Sequence, residues 1–409
     1  MMKKMINYSM KTVPQYLFTA VTLFAALFSC QKAPEEVLDS EDGISKVIMR
    51  LSPFKGDDVE TRTEYSFDSG TNTFTFLWAE GDAVGIVSSE GSQMKFPVQE
   101  QYYGQVDAEF DGRGFALISG SRYASYTPFI PDYDLDPAAV PLDYTGQVQR
   151  GDDNTSHLGD YGFSAAIGSA PSSGMLYFTY LNIGSPHRYR MPVLPGTYSS
   201  LTVSVDEAKY VTKGTFNLNA DDETSLIVIT PTEMSESIHL DLEETTMASV
   251  GNLRCWMMVA PTNLSGKVIR MRLECPDGTA LLSAVAGADC PPNYRKLFSA
   301  KTSVYPAETE VGTEGGTITV QLINSATPVE VTAASGVDWI TSVGSATDGR
   351  VTTYTFNVAE NTGANREGTI VFSETGTSIS NTVTVTQKKA GTIIGIGGWS
   401  TENHSGTAN

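Results

Sequence analysis

Hydrophobic and polar residues alternate at every second position in many segments after residue 44. Successive side chains of a β-strand point to opposite faces, so this alternation is typical of strands with one buried face. The pattern predicts half-buried strands of about five residues each. The clearest apolar sets are Phe74, Phe76 and Trp78; Leu201, Val203 and Val205; Ile269, Met271 and Leu273; Ile318, Val320 and Leu322; and Tyr354, Phe356 and Val358.

Short clusters of turn-forming residues separate the alternating segments. Apolar residues do not recur at helical spacing over windows of about 11 residues. Many short strands joined by frequent turns are typical of antiparallel sandwiches. We therefore predict an all-β protein made of tandem antiparallel β-sandwiches. The turn clusters behind this prediction are Asp68–Gly70, Asp111–Gly112, Pro276–Gly278 and Thr375–Thr377.

Composition and charge narrow the classes of function. The chain has 409 residues, enough for about three domains of ordinary size. Its 27 Lys and Arg against 47 Asp and Glu give a formal net charge of −20, which argues against a nucleic-acid partner because phosphate binding needs clustered cations. The four histidines lack metal-ligand spacing, and the sequence contains no hydrolase, Walker or dinucleotide-binding motif. We predict a protein that is not an enzyme and has no metal or cofactor.

Residues 1–29 have the organisation of an export signal. Lys3, Lys4 and Lys11 precede an apolar run at 16–28, which is shorter than the roughly 20 residues of a membrane-spanning helix. The run ends at Leu27–Cys30, a segment that resembles a bacterial lipobox. The resemblance implies that Cys30 is acylated and anchors the protein in outer-membrane lipid. The alternative is an ordinary secretory signal with an incidental cysteine.

The remaining chain divides into a tether and further domains. Residues 30–43 are polar and predict a flexible tether. Within it, Gln31–Glu36 resembles the signals that send Bacteroidetes lipoproteins to the outer leaflet, which implies exposure at the cell surface; the alternative is a solvated linker. Boundaries near 184, 302 and 389 predict three sandwiches at 44–184, 185–302 and 303–389, followed by a Gly-rich tail at 390–409.

The order of motifs between residues 45 and 300 resembles that of the fimbrillin-like surface proteins of Bacteroidetes. Thr61–Thr63, followed by Trp78–Asp82 and Val84–Ile86, is similar to the opening of that family. Ala124–Pro128 and Trp256–Pro261 then stand, in order, where the family has further strands. The resemblance implies two tandem sandwiches of transthyretin-like topology.

The segment Trp78–Asp82 also has a purely structural explanation. A buried Trp ends a strand, and Gly81 permits the positive φ of a tight turn. Asp82 can then accept backbone N–H groups in that turn. We predict a turn that stabilises the fold and needs no chemistry.

Residues 304–388 resemble a BACON domain, a Bacteroidetes-associated module whose family name refers to carbohydrate binding. The resemblance rests on Val337–Ile340, Tyr354–Asn361, Arg366–Phe372 and Val383–Gln387. It implies an immunoglobulin-like sandwich of about seven strands. The module would either bind sugar or act as a spacer.

Two BACON side chains favour structural roles over sugar binding. Trp339 lies between Val337 and Ile340 and is predicted to fill the core. Arg366 precedes a strand and is predicted to be a structural cation paired across a turn.

Three cysteines would remain besides Cys30. Export permits disulfides, and Cys275 and Cys290 flank a predicted hairpin, so they are the best candidate pair. The alternative is that these two and Cys255 are simply buried thiols.

Three acids alternate at Asp132, Asp134 and Asp136, as in a calcium-binding loop. Pro137, however, stands where such a loop needs a sharp-turn glycine. We therefore predict a solvated acidic loop and no metal.

Fimbrillin-type pilins polymerise by strand exchange after a protease cuts behind an N-terminal Arg. Arg50 and Arg62 are the candidates by position. A cut at Arg50 would remove part of a predicted strand at 46–52, whereas Arg62 lies in a polar turn and is the easier cut. The apolar tail could pair with the sheet edge of a neighbour. The alternative is that neither Arg is cut and the tail packs on its own domain.

These observations favour a surface lipoprotein with an adhesive role, either alone or as an accessory or tip subunit of a fimbria. Its partners would be host or dietary glycans, surface proteins or fimbrial subunits. The alternative is a glycan-capture protein acting through the BACON domain. Trp399, Tyr305 and Tyr354 would then be candidate glycan contacts, because sugar rings stack on flat aromatic faces. A hydrolase with an unrecognised site is a third hypothesis.

Overall fold

The computed structural model describes Ile44 and most of the chain from Lys46 to Lys389. Cys30, Arg62 and Trp399, with the predicted signal peptide, tether and tail, lie outside the described residues. Within the described part, no helix is long and apolar enough to cross a membrane. The described ranges are 44, 46–56, 66–68, 73–88, 93–112, 117–118, 120–132, 134–169 and 174–389.

The N-terminal region consists of short strands and two 3₁₀-helices. Its elements are β1 (Lys46–Leu51), β2 (Lys55–Gly56), β3 (Ser66–Asp68), β4 (Thr73–Thr75), β5 (Ala83–Ser88), β6 (Gln93–Pro97), η1 (Glu100–Tyr102), β7 (Asp107–Asp111), β8 (Arg122–Thr127), β9 (Val140–Asp143), β10 (Gln147–Arg150), η2 (Ser156–Tyr161), β11 (Ser164–Ser169) and β12 (Met175–Asn182). Seven strands form one sheet in the order β6-β5-β8-β11-β12-β1-β7. Strands β3 and β4 form a separate hairpin.

The middle region adds further strands and one short α-helix. Its elements are β13 (Ser185–Val193), β14 (Gly196–Thr197), β15 (Ser200–Val205), β16 (Tyr210–Phe216), α1 (Glu223–Leu226), β17 (Thr230–Ser235), β18 (Ser237–Glu243), β19 (Thr246–Met247), β20 (Gly251–Val259), β21 (Thr262–Asn263), β22 (Val268–Glu274), β23 (Ala280–Ala286), β24 (Asp289–Cys290), β25 (Tyr294–Ser299) and β26 (Thr302–Tyr305). One sheet has the order β2-β25-β13-β20, and a smaller one has the order β17-β16-β9. Strands β14 and β19, and β21 and β24, form two-stranded pairs.

The C-terminal region is an immunoglobulin-like sandwich. Its strands are β27 (Glu308–Val311), β28 (Gly316–Asn324), β29 (Val331–Ser335), β30 (Ile340–Asp348), β31 (Val351–Val358), β32 (Arg366–Glu374) and β33 (Ser380–Gln387). The run β26-β28-β31-β30 corresponds to immunoglobulin strands A-B-E-D, and β27-β33-β32-β29 corresponds to the other sheet, with its C, F and G strands. The all-β prediction is confirmed, and the strands β27–β33 match the number that the BACON resemblance implies.

Sheets run across both of the boundaries predicted inside this part of the chain. Strands β9 and β10 precede residue 184 but pair with β16 and β18, which follow it. Near residue 302, β26 pairs with β23 on one side and β28 on the other. One sheet therefore has the order β10-β18-β15-β22-β23-β26-β28-β31-β30. Backbone hydrogen bonds therefore connect segments that the predicted boundaries place in different domains.

Most strand pairs are antiparallel, as predicted, but five of the described pairs are parallel: β1–β12, β10–β18, β13–β25, β2–β25 and β27–β33. In each pair the two strands are far apart in sequence or separated by other strands. A parallel pair needs such a crossover connection, which local alternation does not reveal.

Four of the five alternating apolar segments lie in regular strands, namely β15, β22, β28 and β31. The fifth does not, because β4 ends at Thr75. Phe76 and Trp78 are buried in a segment without regular strand structure. There the Trp78 N–H donates to the Gln105 carbonyl at 2.9 Å, and the Trp78 carbonyl accepts from Gly104 N at 2.8 Å. The loop at Gly104 and Gln105 therefore supplies the hydrogen bonds that a neighbouring strand would otherwise give to the Trp78 backbone.

Two glutamine side chains bind the outer edge of β20. Gln147 accepts from Met258 N and donates to the Met258 carbonyl, both at 2.7 Å. Gln149 accepts from Trp256 N at 2.6 Å and donates to the Arg254 carbonyl at 2.9 Å. Both carboxamides are buried and take the place of a neighbouring strand. This closes an edge that would otherwise be open to association with another chain.

Candidate ligand-binding cleft

A cleft of about 640 Å³ lies at one end of the seven-stranded sheet. Leu51 at the end of β1, Thr127 at the end of β8 and Ser164 at the start of β11 all line it. The rest of the described wall comes from the segment before β5, the residues that directly follow η1 and β8, and η2 with Gly162 after it. Concave sites of this size, with apolar walls and a few polar groups, are typical of small-molecule binding.

The Trp78–Asp82 turn forms one wall of the cleft. Ala79 N donates to the Asp82 carboxylate at 2.8 Å, and Asp82 N donates to the Ala79 carbonyl at 3.2 Å. Gly81 has a φ of 90°, which favours glycine. Asp82 thus accepts a backbone hydrogen bond within the turn, as the sequence predicts. The same turn also brings two carboxylates to the cleft, a consequence that the sequence did not reveal.

Aromatic side chains form the apolar part of the cleft. The Phe76 ring packs edge-on against Phe54, with centroids 5.3 Å apart, and Trp78 packs edge-on against Tyr180 at 6.1 Å. A Cβ at Gly162 would lie 2.6 Å from the Phe76 ring. Only glycine therefore lets the chain after η2 approach this ring so closely.

Three carboxylates make the cleft acidic. Glu80, Asp82 and Asp160 all line it, and no Lys or Arg does among the described residues. Burial raises the pKa of the Asp82 carboxyl, and the nearby charge of Asp160 raises it further. The carboxylates of Glu80 and Asp160 make no hydrogen bond or ion pair within the described part of the chain. Their oxygens are therefore available to donors on a ligand.

One buried donor in the cleft lacks an acceptor. The Trp78 side chain lines the cleft, and the residue is only 2% exposed. Its indole Nε1–H has no hydrogen-bond partner among the residues that the structure describes. A buried N–H without an acceptor is costly, and this nitrogen is closed off from the open cleft because almost none of its surface is accessible.

No metal site is found within the described ranges. No group of three His, Cys, Asp or Glu side chains there could hold an ion. In the acidic loop, Asp132 accepts from Asp134 N at 3.0 Å and Asp136 accepts from Ala138 N at 2.9 Å. Both carboxylates therefore cap their own local turns.

The two described candidate glycan contacts do not form a common aromatic surface. Tyr305 lies opposite Gln321 in the β26–β28 ladder and packs against the core of the middle region. Tyr354 lies opposite Val320, packs against the C-terminal core and contacts Phe372 edge-on at 5.3 Å. Because adjacent strand positions face opposite ways, the two tyrosines lie on opposite faces of the same sheet. The third candidate, Trp399, is outside the described residues.

Trp339 and Arg366 act together at the edge of the C-terminal core. Trp339 is partly buried, and the Arg366 guanidinium covers its ring at 4.2 Å from the centroid. Arg366 also donates to the carbonyls of Ala359 at 2.7 Å and Glu360 at 3.1 Å and to Gln387 Oε1 at 2.8 Å. These contacts give the Arg a structural position, and it covers one face of the Trp that could otherwise bind sugar.

Replacing Arg366 by Lys is expected to lower the free energy of unfolding by about 1–2 kcal/mol. An ammonium group cannot reproduce the planar fork that reaches three acceptors while stacking on Trp339. Chemical unfolding of the purified protein measures the change. Arg150→Lys is the matched control, because Arg150 makes one exposed ion pair with Glu243. Equal stability of the two variants would contradict the structural role.

Arg50, one of the two candidate processing residues, lies in β1. Its guanidinium forms a bidentate pair with Asp107 of β7, at 2.6 and 2.8 Å. Strand β1 lies between β12 and β7 in the seven-stranded sheet. The other candidate, Arg62, is outside the described residues.

The candidate disulfide does not form in this structure. No disulfide joins Cys255, Cys275 or Cys290 within the described chain. Cys275 lies at the turn of the β22–β23 hairpin, whereas Cys290 follows its opposite end. The strands between them span about 20 Å, and a disulfide requires Cα atoms within about 7 Å. Cys275 and Cys290 are therefore separate thiols in the described structure.

Comparison with known proteins gives one family match. Residues 329–388 match the family model described as "BACON: Putative binding domain, N-terminal". The BACON segment begins just before β29 and ends just after β33, so the match covers five of the seven strands of the C-terminal sandwich. No curated protein sequence matches the chain.

Several solved structures have a distant similarity to this chain. A "putative cell adhesion protein" from Bacteroides eggerthii has 7% identity, a TM-score of 0.30, and coverage of 63% of this chain and 85% of its own. The I9–I11 tandem of titin has 9% identity, a TM-score of 0.15, and coverage of 77% and 91%. A family 107 endo-fucoidan hydrolase has 10% identity, a TM-score of 0.18, and coverage of 70% and 40%. These similarities are too weak to carry a functional argument.

Sequence reasoning identified one wall of the cleft and missed the others. Trp78 and Asp82 are in a recognised motif, but Tyr103 directly follows η1 and Asp160 lies in η2, and no periodic pattern marks either element. The tight packing of Gly162 against Phe76 also depends on the tertiary fold. The one sequence feature that pointed to this place was Trp78, followed closely by the acids Glu80 and Asp82.

Proposed function

We propose that this protein is a non-catalytic adhesin held at the bacterial cell surface as a lipoprotein. The observation that carries the proposal is the continuous sheet that joins the middle region to the BACON segment through β23, β26 and β28. A protein that attaches a cell to a surface must transmit tension between its binding face and its anchor. Backbone hydrogen bonds across a module boundary suit that task better than a loose linker does.

Charge and closed edges support the same role. The net charge of −20 disfavours binding to anionic polymers such as nucleic acids. Gln147 and Gln149 cover the edge of β20, which limits uncontrolled association through that sheet. The protein would thus present binding surfaces to host or dietary glycans or to surface proteins without aggregating.

Anchoring through Cys30 is tested by cell fractionation. Wild-type protein is expected in the outer-membrane fraction, accessible to antibody on intact cells. Cys30→Ala should move the protein out of that fraction and abolish adherence of the cells to immobilised mucin. Cys275→Ala is the control, since it lies far from the anchor in sequence. Outer-membrane retention of the Cys30→Ala protein would contradict the lipid anchor.

A fimbrial role, as accessory or tip subunit, is the finer form of the proposal. Cleavage behind Arg50 would remove nearly all of β1 and leave β12 and β7 without their shared neighbour. Such a gap could accept a strand from another subunit.

Heat-sensitive ladders in gel electrophoresis would report such an assembly. They are expected for the wild-type protein and for Arg150→Ala, which changes an exposed Arg of β10. They should be absent from the Arg50→Ala/Arg62→Ala double variant. Unchanged ladders in that variant would contradict assembly triggered by proteolysis, while leaving a role as a single adhesin intact.

A further inference from the structure

We propose that the protein associates with a second copy of itself through the open edge of β30, an inference that rests on the membrane anchor proposed above. Strand β30 has nine residues and is the last strand of the nine-stranded sheet. Within the described part of the chain it pairs with β31 alone, so its other edge has no strand beside it. Its residues from Thr341 to Asp348 are all exposed. Such an edge presents backbone N–H and C=O groups that another strand can bind.

The ends of the other described sheets are protected against such pairing. Apart from β20 and β30, every strand at the end of a described sheet has six residues or fewer. The buried carboxamides of Gln147 and Gln149 cover β20. Several of the short strands also carry charged residues or proline, which discourage edge pairing. These are the acids of β7 and β27, Lys95 in β6, and Pro231 with Glu233 in β17.

Charge favours a second copy as the partner of β30. The chain has a net charge of −20, so two copies repel each other over most of their surfaces. From Ile340 to Thr347, β30 contains no charged residue and no proline. Two copies can therefore approach along this edge without placing like charges opposite each other, an arrangement that would destabilise a strand pair. A strongly acidic or basic peptide would gain no ion pair from these residues.

An irregularity in β30 sets the register of the pairing. The ladder of β30 with β31 shifts just before Gly344, which leaves Gly344–Asp348 as its longest regular part. In a two-fold symmetric antiparallel pair, this part lies opposite the same part of the other copy when Ala346 faces Ala346. Asp348 then faces Gly344 of the other copy. The register centred on Ala346 therefore places no two acids opposite each other.

The contact is weak and depends on the membrane. Five residues a side are far fewer than the roughly 20–30 that a stable interface uses, so the free protein is expected to be monomeric in dilute solution. Copies anchored by an acylated Cys30 share one membrane, and this confinement raises the concentration that each copy presents to the next. Association in the membrane would hold several adhesive copies together and strengthen attachment through multivalency.

Cysteine cross-linking tests the register in the membrane. The full-length protein is reconstituted in lipid vesicles with Cys275→Ala, because Cys275 is only partly buried whereas the other described thiols are buried. Residues directly opposite each other in an antiparallel pair have Cα atoms about 4.5–5.5 Å apart, within reach of a disulfide. Ala346→Cys is therefore expected to give about ten-fold more oxidised dimer than Thr232→Cys. Thr232 is the matched control, since it is also exposed in an edge strand but lies between Pro231 and Glu233.

Charge substitutions test the identity of the partner. Copies of the protein in vesicles are labelled with donor and acceptor dyes at Thr382→Cys, an exposed position in β33. Energy transfer is expected between these copies, and Ala346→Lys or Ala346→Glu should each lower it about three-fold or more, because like charges then face each other. Mixing the Lys variant with the Glu variant should restore the transfer, since opposite charges then meet. The matched charge change Thr232→Lys in β17 should leave the transfer unchanged.

Several results would overturn the inference. These are equal cross-linking of Ala346→Cys and Thr232→Cys, energy transfer that neither charge variant lowers, or no recovery of transfer when the two charge variants are mixed. Loss of transfer on deletion of residues 390–409 would also contradict it, because the tail of a neighbouring copy would then be the occupant of the edge.

Adherence of cells to immobilised mucin is scored separately from self-association. Anchored protein that stays monomeric while its cells adhere would remove the self-association and leave the adhesive function intact. Cross-linked protein on cells that adhere to no surface would instead contradict the adhesive function alone.

Discussion

Replacing Gln149 by Leu is expected to lower the free energy of unfolding by about 3–5 kcal/mol. The carboxamide donates to the carbonyls of Gly151 at 2.7 Å and Arg254 at 2.9 Å and accepts from Trp256 N at 2.6 Å. Leucine fills a similar volume but removes the side-chain partner of Trp256 N and of the Gly151 carbonyl, whereas the Arg254 carbonyl keeps a hydrogen bond from Asp153 N at 3.0 Å. Each buried backbone group left without a hydrogen-bond partner lowers the free energy of unfolding by about 1–3 kcal/mol. Urea unfolding followed by tryptophan fluorescence measures the difference.

Two further variants make this test specific. Gln149→Glu keeps the shape of the side chain but loses both donors, and its carboxylate would face the carbonyls of Gly151 and Arg254. It should therefore destabilise at neutral pH about as much as Leu does. Gln105→Leu is the control, since the exposed Gln105 side chain donates to one carbonyl, that of Gln101. If Gln149→Leu cost no more than Gln105→Leu, the role assigned to the carboxamide would be wrong.

Stability is expected to fall by about 4 kcal/mol between pH 7 and pH 4.5, because two buried histidines are held neutral in the fold. Burial lowers the pKa of His157 to about 4 and that of His187 to about 3. His157 Nε2 bonds the Trp256 carbonyl at 3.1 Å, and His187 Nδ1 bonds the Tyr189 hydroxyl at 3.0 Å. The unfolded chain takes up protons below about pH 6.5, whereas the folded chain does not do so until lower pH.

The sign of this dependence follows from the lowered pKa values. The contribution is fully present above pH 6.5 and is lost as the pH falls towards 4 and then 3. Asp82 and Asp152 act in the opposite direction, because burial raises the pKa of both carboxyls and the folded state binds their protons more tightly. Their effect offsets part of the loss from the histidines.

Urea unfolding at several pH values tests this expectation. The wild-type protein and His239→Gln, which changes an exposed histidine, should show the same loss of stability towards acid pH. His157→Gln/His187→Gln should show a flatter profile, whatever its stability at pH 7. If the double variant lost stability with falling pH as steeply as the wild-type protein does, the acid sensitivity would come from other groups.

Where strands form was largely decided by local alternation. Segments such as Leu201–Val205 and Ile269–Leu273 place apolar residues on one face only, and any fold that buries that face must use them as strands. The Trp78–Asp82 turn was equally predictable, because Gly81 and Asp82 supply what a tight turn needs within a few residues. In these cases the physical cause lies within the segment.

Only the tertiary structure decided which strands are neighbours and which side chains meet. The parallel pairing of β1 with β12 and the hydrogen bonds of Gln149 to β20 join residues about 100 positions or more apart. The cleft also depends on the tertiary fold, because Asp160 comes to lie near Asp82 from a different part of the chain. Alternation specifies the face on which a side chain lies but not the strand that will pair with it. The all-β class was therefore readable from the sequence, whereas the candidate site required the fold.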